Sequence, residues 1–289
     1  MTDNIAGLAV MVTAFYLFTI VVLYYWNAKH PLPPCDEYIH SGRSVLELVY
    51  PRANLVLRVS RALMFIWWFG VGWVLKFSLD APHPRFYMFT MWNIILMSFY
   101  FLFASICSWQ YAISPKNEDT NFPSWWSKSR RITLSHIVRV MHSVIGGCAL
   151  FITIVAWLGK TGFWSVQQHL TNTLFFLIEG AQTGYVSRLV HFSWSASWLY
   201  VYMCFVWIIV HAMGEYNWPY PFMQTDASQT AAYGSYFGVL VCNVATFIVW
   251  KYIKVGYVKL YSRFYGKDVI LNADETEAPT KDSLLENAM

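Results

Sequence analysis

The chain is expected to fold as an all-α polytopic membrane bundle, a six-helix core preceded by one N-terminal transmembrane helix. Three observations carry that expectation. Seven apolar stretches occupy most of the 289 residues, and each is near the ~20 residues a helix needs to cross a hydrocarbon core about 30 Å thick. The composition is 57% hydrophobic, 19% aromatic and only 12% charged, against roughly 25% charged in soluble domains. The runs are too long for barrel strands and lack a period of two, and in lipid only helices or closed barrels satisfy their own backbone groups.

The first span, Ile5 to Trp26, contains no charge. The acidic Asp3 and the lack of a small-residue cleavage site set it apart from a signal peptide. The second span, Leu55 to Ser78, is entered through Arg58 and Arg61. The third runs from Phe86 to Ile113, the fourth from His136 to Leu158 and the fifth from Gln167 to Gly184. The sixth covers His191 to Met213 and the seventh Thr230 to Tyr257. Joints rich in Gly, Pro and Asn separate them, notably KHPLPPCDEY, SPKNEDTNFPSWW and GEYNWPYPF. Three parts follow: residues 1–54 (N-terminal helix and loop), 55–257 (the core) and 258–289, a polar tail with the composition of a disordered segment.

Lysine and arginine positions set an orientation. Lys29, Arg43, Arg52, Arg58 and Arg61 follow or flank the first joint, Lys116, Lys128, Arg130 and Arg131 the third, and Lys254, Lys259, Arg263, Lys267 and Lys281 the C-terminal segment. The alternate joints hold only Arg85 and Lys160. Seven spans then place the N-terminus exoplasmic or lumenal and the C-terminus in the cytoplasm, in the endoplasmic reticulum or plasma membrane. Net charge is +4, with no compact basic surface or nucleic-acid motif, so membrane lipids and not nucleic acid are the expected partners. Cys35, Cys107, Cys148, Cys204 and Cys242 show no CxxC spacing, so neither a zinc site nor a disulfide framework is indicated and they read as small packing residues. No cofactor or metal is expected.

Polar side chains at membrane depth are costly and face the bundle interior. On the fifth span His169, Asn172, Thr173, Glu179 and Thr183 fall within an arc of about 120°. Such a stripe lines a cavity, or forms a hydrogen-bond network that only joins helices. Thr90 and Asn93 share one face of the third span. Thr90 and His169 each lie near the start of their spans, at the same depth, and His211 reaches that level at the end of the sixth. A threonine hydroxyl becomes a nucleophile when a base within reach takes its proton, and a neutral imidazole is such a base. Asn93 or Asn172 offers a donor to a developing oxyanion.

The strings YMFTMWNIILMSFYF with Thr90, HLTNTLFFLIE with His169 and Glu179, and WIIVHAMGEYNWPYPF resemble the androgen-induced and androgen-dependent multipass membrane proteins. That family includes a hydrolase of fatty acid esters of hydroxy fatty acids. Its pattern is a Thr on an early helix, a His ten residues before a Glu, and a later W-x-Y-P-F, matched here by Trp218-Pro219-Tyr220-Pro221-Phe222. The resemblance covers residues 55–256, six helices. It implies Thr90 as nucleophile, His169 as catalytic histidine and a fatty acid ester as substrate, with Asn93, Asn172, Glu179, His211, Trp218 and Tyr220 around them. The H-x-x-N of His169 and Asn172 and the run RLVHFSWSASWLYVY look more like the related rolling stone proteins of muscle-cell fusion.

Two other readings stay open. In a non-enzymatic protein of adhesion, fusion or scaffolding, Thr90 and His169 only bridge helices. Alternatively, His169 and His211 on one side and His136, His142 and His191 on the other pair as haem ligands. Arg58, Arg61 and Arg139 are expected to snorkel to headgroups, Trp67, Trp68, Trp73, Trp125 and Trp126 to anchor at the interface, and Gly146-Gly147 and Gly70-Val71-Gly72 to permit close helix approach.

Overall fold

The computed structural model describes residues 5–29, 52–70, 88–113, 134–158, 163–183, 187, 189–213, 220 and 228–265. Among the described residues the ordered elements are all helical: α1 (Ile5–Lys29), α2 (Ala53–Trp67), α3 (Phe89–Ile113), α4 (Leu134–Leu158), α5 (Phe163–Gln182), a 3₁₀ turn (Leu189–His191), α6 (Phe192–Met213) and α7 (Gln229–Tyr265). Each falls on one of the expected spans. α2 passes into a π-helical turn at residues 68–70, and the remainder of its expected span lies outside the described residues. The joints KHPLPPCDEY and SPKNEDTNFPSWW, most of GEYNWPYPF, Cys35, Trp73, Trp125, Trp126 and the tail beyond Tyr265 also lie outside them.

Among the described residues five segments are long and apolar enough to cross a bilayer: Gly7–Tyr25, Phe89–Ile113, Ile137–Val155, Leu189–Ile208 and Thr230–Tyr261. The chain is a helical membrane protein on that ground. α2 and α5 are not among the five. α2 carries Arg58 and Arg61 within 15 residues, and α5 carries His169, Asn172 and Glu179. Their polarity has an explanation in the packing.

α4 is the hub. It packs against α3, α5, α6 and α7, while α2 lies on α3 and α5, and α1 on α6. Two glycines let α7 press into α4. A Cβ on Gly146 would collide with the indole of Trp250, and one on Gly147 would come within 3.3 Å of the Phe247 backbone. Gly180 of α5 accommodates the same Trp250 ring. A Cβ on Gly70, by contrast, would meet nothing within 4 Å among the described residues, so no close approach depends on that glycine there. α1 joins α6 through polar pairs: Thr13 Oγ1 to Tyr200 Oη at 3.1 Å, Tyr16 Oη to Ser197 Oγ at 3.0 Å, and a Tyr16–Tyr200 stack with centroids 4.5 Å apart. Its other face presents Val10, Leu17, Phe18, Val21 and Val22 outward, as a helix facing acyl chains does.

Three residues expected at the interface are interior instead: Arg61, Arg139 and Trp68 are buried. Arg61 has its partners inside the bundle, and a guanidinium with partners need not reach the headgroups. Trp68 packs edge-on against the Phe175 ring of α5. Arg58 stays half-buried, its Nε donating to Asn54 O at 3.2 Å and its guanidinium over the Trp109 ring.

Candidate functional site

The first turn of α3 closes when Met91 and Trp92 donate to Met88 O, at 2.9 and 3.4 Å. Phe89 and Thr90 have no preceding helical turn to donate to, as at any helix start. Their N–H groups turn instead toward tyrosine hydroxyls, Phe89 toward Tyr202 of α6 and both toward Tyr220. Thr90 Oγ1 lies 3.4 Å from Tyr220 Oη. Ser98, Ser108 and Ser143, deeper in their helices, and Thr183, just past the end of α5, return their hydroxyls to the carbonyl four residues back. Thr90 does not, because position two of a helix offers no such carbonyl within it.

Part of Tyr220 is accessible, but its phenol end is enclosed. Burial pushes the phenol above its ordinary value, and the Thr90 hydroxyl opposes the shift. The phenol is therefore a proton donor at neutral pH and no base. Around Thr90 the structure gathers one hydroxyl nucleophile candidate, two helix-terminal N–H groups and a phenol.

His169 and Asn172 sit on α5 facing the bundle, 6% and 1% exposed, with Thr90 at 7%. Thr153 of α4 holds this part of α5, donating to His169 O at 3.0 Å and pairing with Thr173 Oγ1 at 2.7 Å. The Phe89 ring meets Phe151, two residues from Thr153. The first turn of α3 and the second turn of α5 thus lie at one level, on either side of the same part of α4.

The register is fixed at the other end, where Tyr100 Oη donates to Glu179 Oε1 at 2.7 Å. Thr90 precedes Tyr100 by ten residues, and His169 precedes Glu179 by ten. Since α3 and α5 run the same way, Thr90 and His169 share a height, roughly 15 Å from that bond. Ten residues fall about 80° short of three full turns. Both side chains therefore stand about 80° round their helices from the faces that the Tyr100–Glu179 bond brings together. Among the described hydrogen bonds none joins Thr90 to His169.

Asn93 Nδ2 donates to Phe89 O at 3.0 Å, leaving Oδ1 without a partner among the described residues. Neither Asn172 Nδ2 nor Oδ1 has one there. Each unmade bond at such depth costs about 1–3 kcal/mol.

Glu179 belongs to a second, separate cluster. It and Arg61 are both 0% exposed. Arg61 Nε and Nη2 donate to Glu179 Oε1 at 2.9 and 2.6 Å, and Nη1 donates to Ala104 O at 3.1 Å and Ser108 Oγ at 2.6 Å. Lys254 of α7 donates to Gly180 O, to Thr183 O at 2.7 Å and to Thr183 Oγ1 at 3.2 Å, capping the carbonyl end of α5. His142 of α4 is buried among the rings of Tyr100, Phe176 and Trp250. Arg61 and Lys254, read from the sequence as flanking charges, His142, read as a haem-ligand candidate, and Tyr100, not singled out there, all lie in the interior. The available signal was Arg61 and Glu179, opposite charges a few residues inside adjoining span ends.

The sequence candidates therefore divide in two. Thr90, Tyr220, Asn93, His169 and Asn172 lie near the level of the start of α3, whereas Glu179 lies about three turns from His169. The backbone of His211 ends α6, its side chain being outside the described residues, as is Trp218. His191 Nδ1 lies 2.9 Å from Ser143 Oγ. Among the described residues no group of three or more His, Cys, Asp or Glu is gathered as a metal site, and Cys107, Cys148, Cys204 and Cys242 are free thiols. No family model, no curated protein and no solved structure matches the chain.

Proposed function

We propose that the chain is a seven-span membrane hydrolase of lipid esters in which Thr90 is the nucleophile and His169 the base. The observation that carries the reading is the convergence at the Tyr220 phenol oxygen of the Phe89 and Thr90 N–H groups, with the Thr90 hydroxyl 3.4 Å away, which marks a place beside Thr90 where donors hold an oxygen. A nucleophile beside preorganised donors is the arrangement acyl transfer needs, because charge develops on the carbonyl oxygen during attack. Thr90 Oγ bonds to the acyl carbon while its proton passes, by way of an intervening water molecule, to the imidazole of His169. The ester C–O bond then breaks, and the leaving alkoxide takes that proton. Water, deprotonated by the same imidazole, attacks the acyl carbon; the acyl–threonine C–O bond breaks, Thr90 Oγ takes the proton back from the imidazolium, and the acid is released.

The resemblance of the Thr90, His169–Glu179 and Trp218–Phe222 strings to the androgen-induced family supports a fatty acid ester as substrate. The basic residues Arg58 and Arg61 at the start of α2 and Lys254, Lys259 and Arg263 at the end of α7 support a cytoplasmic C-terminus and an exoplasmic or lumenal active level.

The second reading is a non-enzymatic membrane protein of adhesion, fusion or scaffolding, as the rolling stone-like strings suggest. It is favoured by Thr90 and His169 sharing a height without a hydrogen bond between them. A fluorophosphonate probe separates the two in purified protein. Labelling of the wild type that disappears in Thr90→Ala, with hydrolysis of a branched fatty acid ester lost in both Thr90→Ala and His169→Ala, supports the hydrolase. No labelling of either protein supports the non-enzymatic reading.

A further inference from the structure

Asn93 and Asn172 stand in a relation that the proposed chemistry at Thr90 does not use. Each is seven residues before a member of the Tyr100–Glu179 hydrogen bond. Seven residues are about 20° short of two full turns and about 10 Å of rise. The two carboxamides therefore lie at one height and close to the faces on which α3 and α5 look at each other. Both residues are 1% exposed. They do not bond to each other: Asn93 Oδ1 and both polar atoms of Asn172 lack partners among the described residues, while Asn93 Nδ2 is committed to Phe89 O. α3 and α5 pack along α4 and α2 more than along each other.

We infer that Asn93 and Asn172 form a buried site for a single hydroxyl group, held in the α3–α5 seam. The chemistry follows from donor and acceptor accounting. Asn93 Oδ1 and Asn172 Oδ1 each require a donor, and Asn172 Nδ2 requires an acceptor. A hydroxyl accepts from Nδ2 and donates to one of the two oxygens, and a water molecule donates to both; an ether or a bare ester carbonyl accepts only, and an ammonium only donates. Two sources carry that chemistry: a water molecule, or the hydroxyl of a lipid entering from the level of Thr90. The site is independent of the hydrolase reading, since it needs neither Thr90 nor His169.

A double-mutant cycle on the whole 289-residue chain in nanodiscs tests it. Asn93→Leu, Asn172→Leu and the double variant are compared by apparent melting temperature. A bridging hydroxyl makes the two residues act as a unit, so the double variant melts no lower than the worse single one. Simple additivity of the two shifts overturns the site, because a shared occupant couples the residues that hold it. The second arm compares octadecanol with its methyl ether, which accepts but cannot donate, in wild type and Asn172→Leu. Coupling together with a roughly fivefold preference for the alcohol, lost in Asn172→Leu, assigns a lipid hydroxyl. Coupling with equal affinity for the two assigns water. Turnover of an ester is read separately, so loss of the hydrolase reading leaves this result unchanged, and the reverse.

Discussion

Tyr100 donates to Glu179 Oε1 at 2.7 Å, and this one bond sets the height of α3 against α5. Everything at the other end of those helices inherits that register: Thr90 opposite His169, Asn93 opposite Asn172. The same carboxylate oxygen also accepts from Arg61 Nε and Nη2, so α2, α3 and α5 are tied at a single atom.

Removing one member of that ion pair leaves an uncompensated charge inside the bundle. Arg61→Met alone and Glu179→Gln alone are each expected to cost about 3–5 kcal/mol, while Arg61→Met with Glu179→Leu costs much less. The midpoint of unfolding in mixed detergent micelles checks this. A double variant as unstable as the sum of the single ones would show that the pair does not act as a unit.

Tyr220 makes stability depend on alkaline pH. Its folded phenol ionises above the ordinary value of 10.0 because it is buried, whereas the unfolded phenol ionises near that value. The neutral form thus favours the folded state. Its contribution is complete below the unfolded value and is lost as pH rises through the folded one. Melting temperature is expected to fall as pH is raised beyond about 10, and Tyr220→Phe to flatten that fall.

Gly146 has no room for a side chain against Trp250. Gly146→Val is expected to part α4 from α7 and cost about 1–3 kcal/mol or more. Gly238→Val, on the same α7 but with nothing within 4 Å of the added methyl, is expected to leave the melting temperature unchanged. Equal losses in the two would place the effect in helix propensity and not in packing.

Lys254 caps the end of α5 with three donated hydrogen bonds. Lys254→Met keeps the stem and removes the donors, freeing the carbonyls of Gly180 and Thr183. Faster amide exchange in the last turn of α5 than in α4 is the expected signature, with a loss of about 1.5–3 kcal/mol in the unfolding midpoint.

Much of the fold was legible because hydropathy acts locally: each described helix lies on an apolar run that can be read without its neighbours. The polar stripe on α5 was legible for the same reason, since His169, Asn172 and Glu179 share a face whatever packs there. What packs there was not legible. Arg61 reads as a snorkelling residue because it lies one turn past Arg58, and only the placement of α2 against α3 and α5 shows that its guanidinium has Glu179, Ala104 and Ser108 within reach. The register of α3 and α5 is likewise a tertiary fact. A count from span ends puts Thr90 and His169 at one depth, but the direction in which each side chain leaves its helix depends on which faces meet, and the Tyr100–Glu179 bond decides that.

The notch at Gly146 and Gly147 is filled from α7, the last of the described helices in chain order, although α4 touches partners made both before and after it. During synthesis α4 must wait in the bilayer with that notch unfilled until Phe247 and Trp250 emerge. Assembly therefore finishes at its middle last, and a chain stopped before residue 229 would expose the notch to lipid or to quality control.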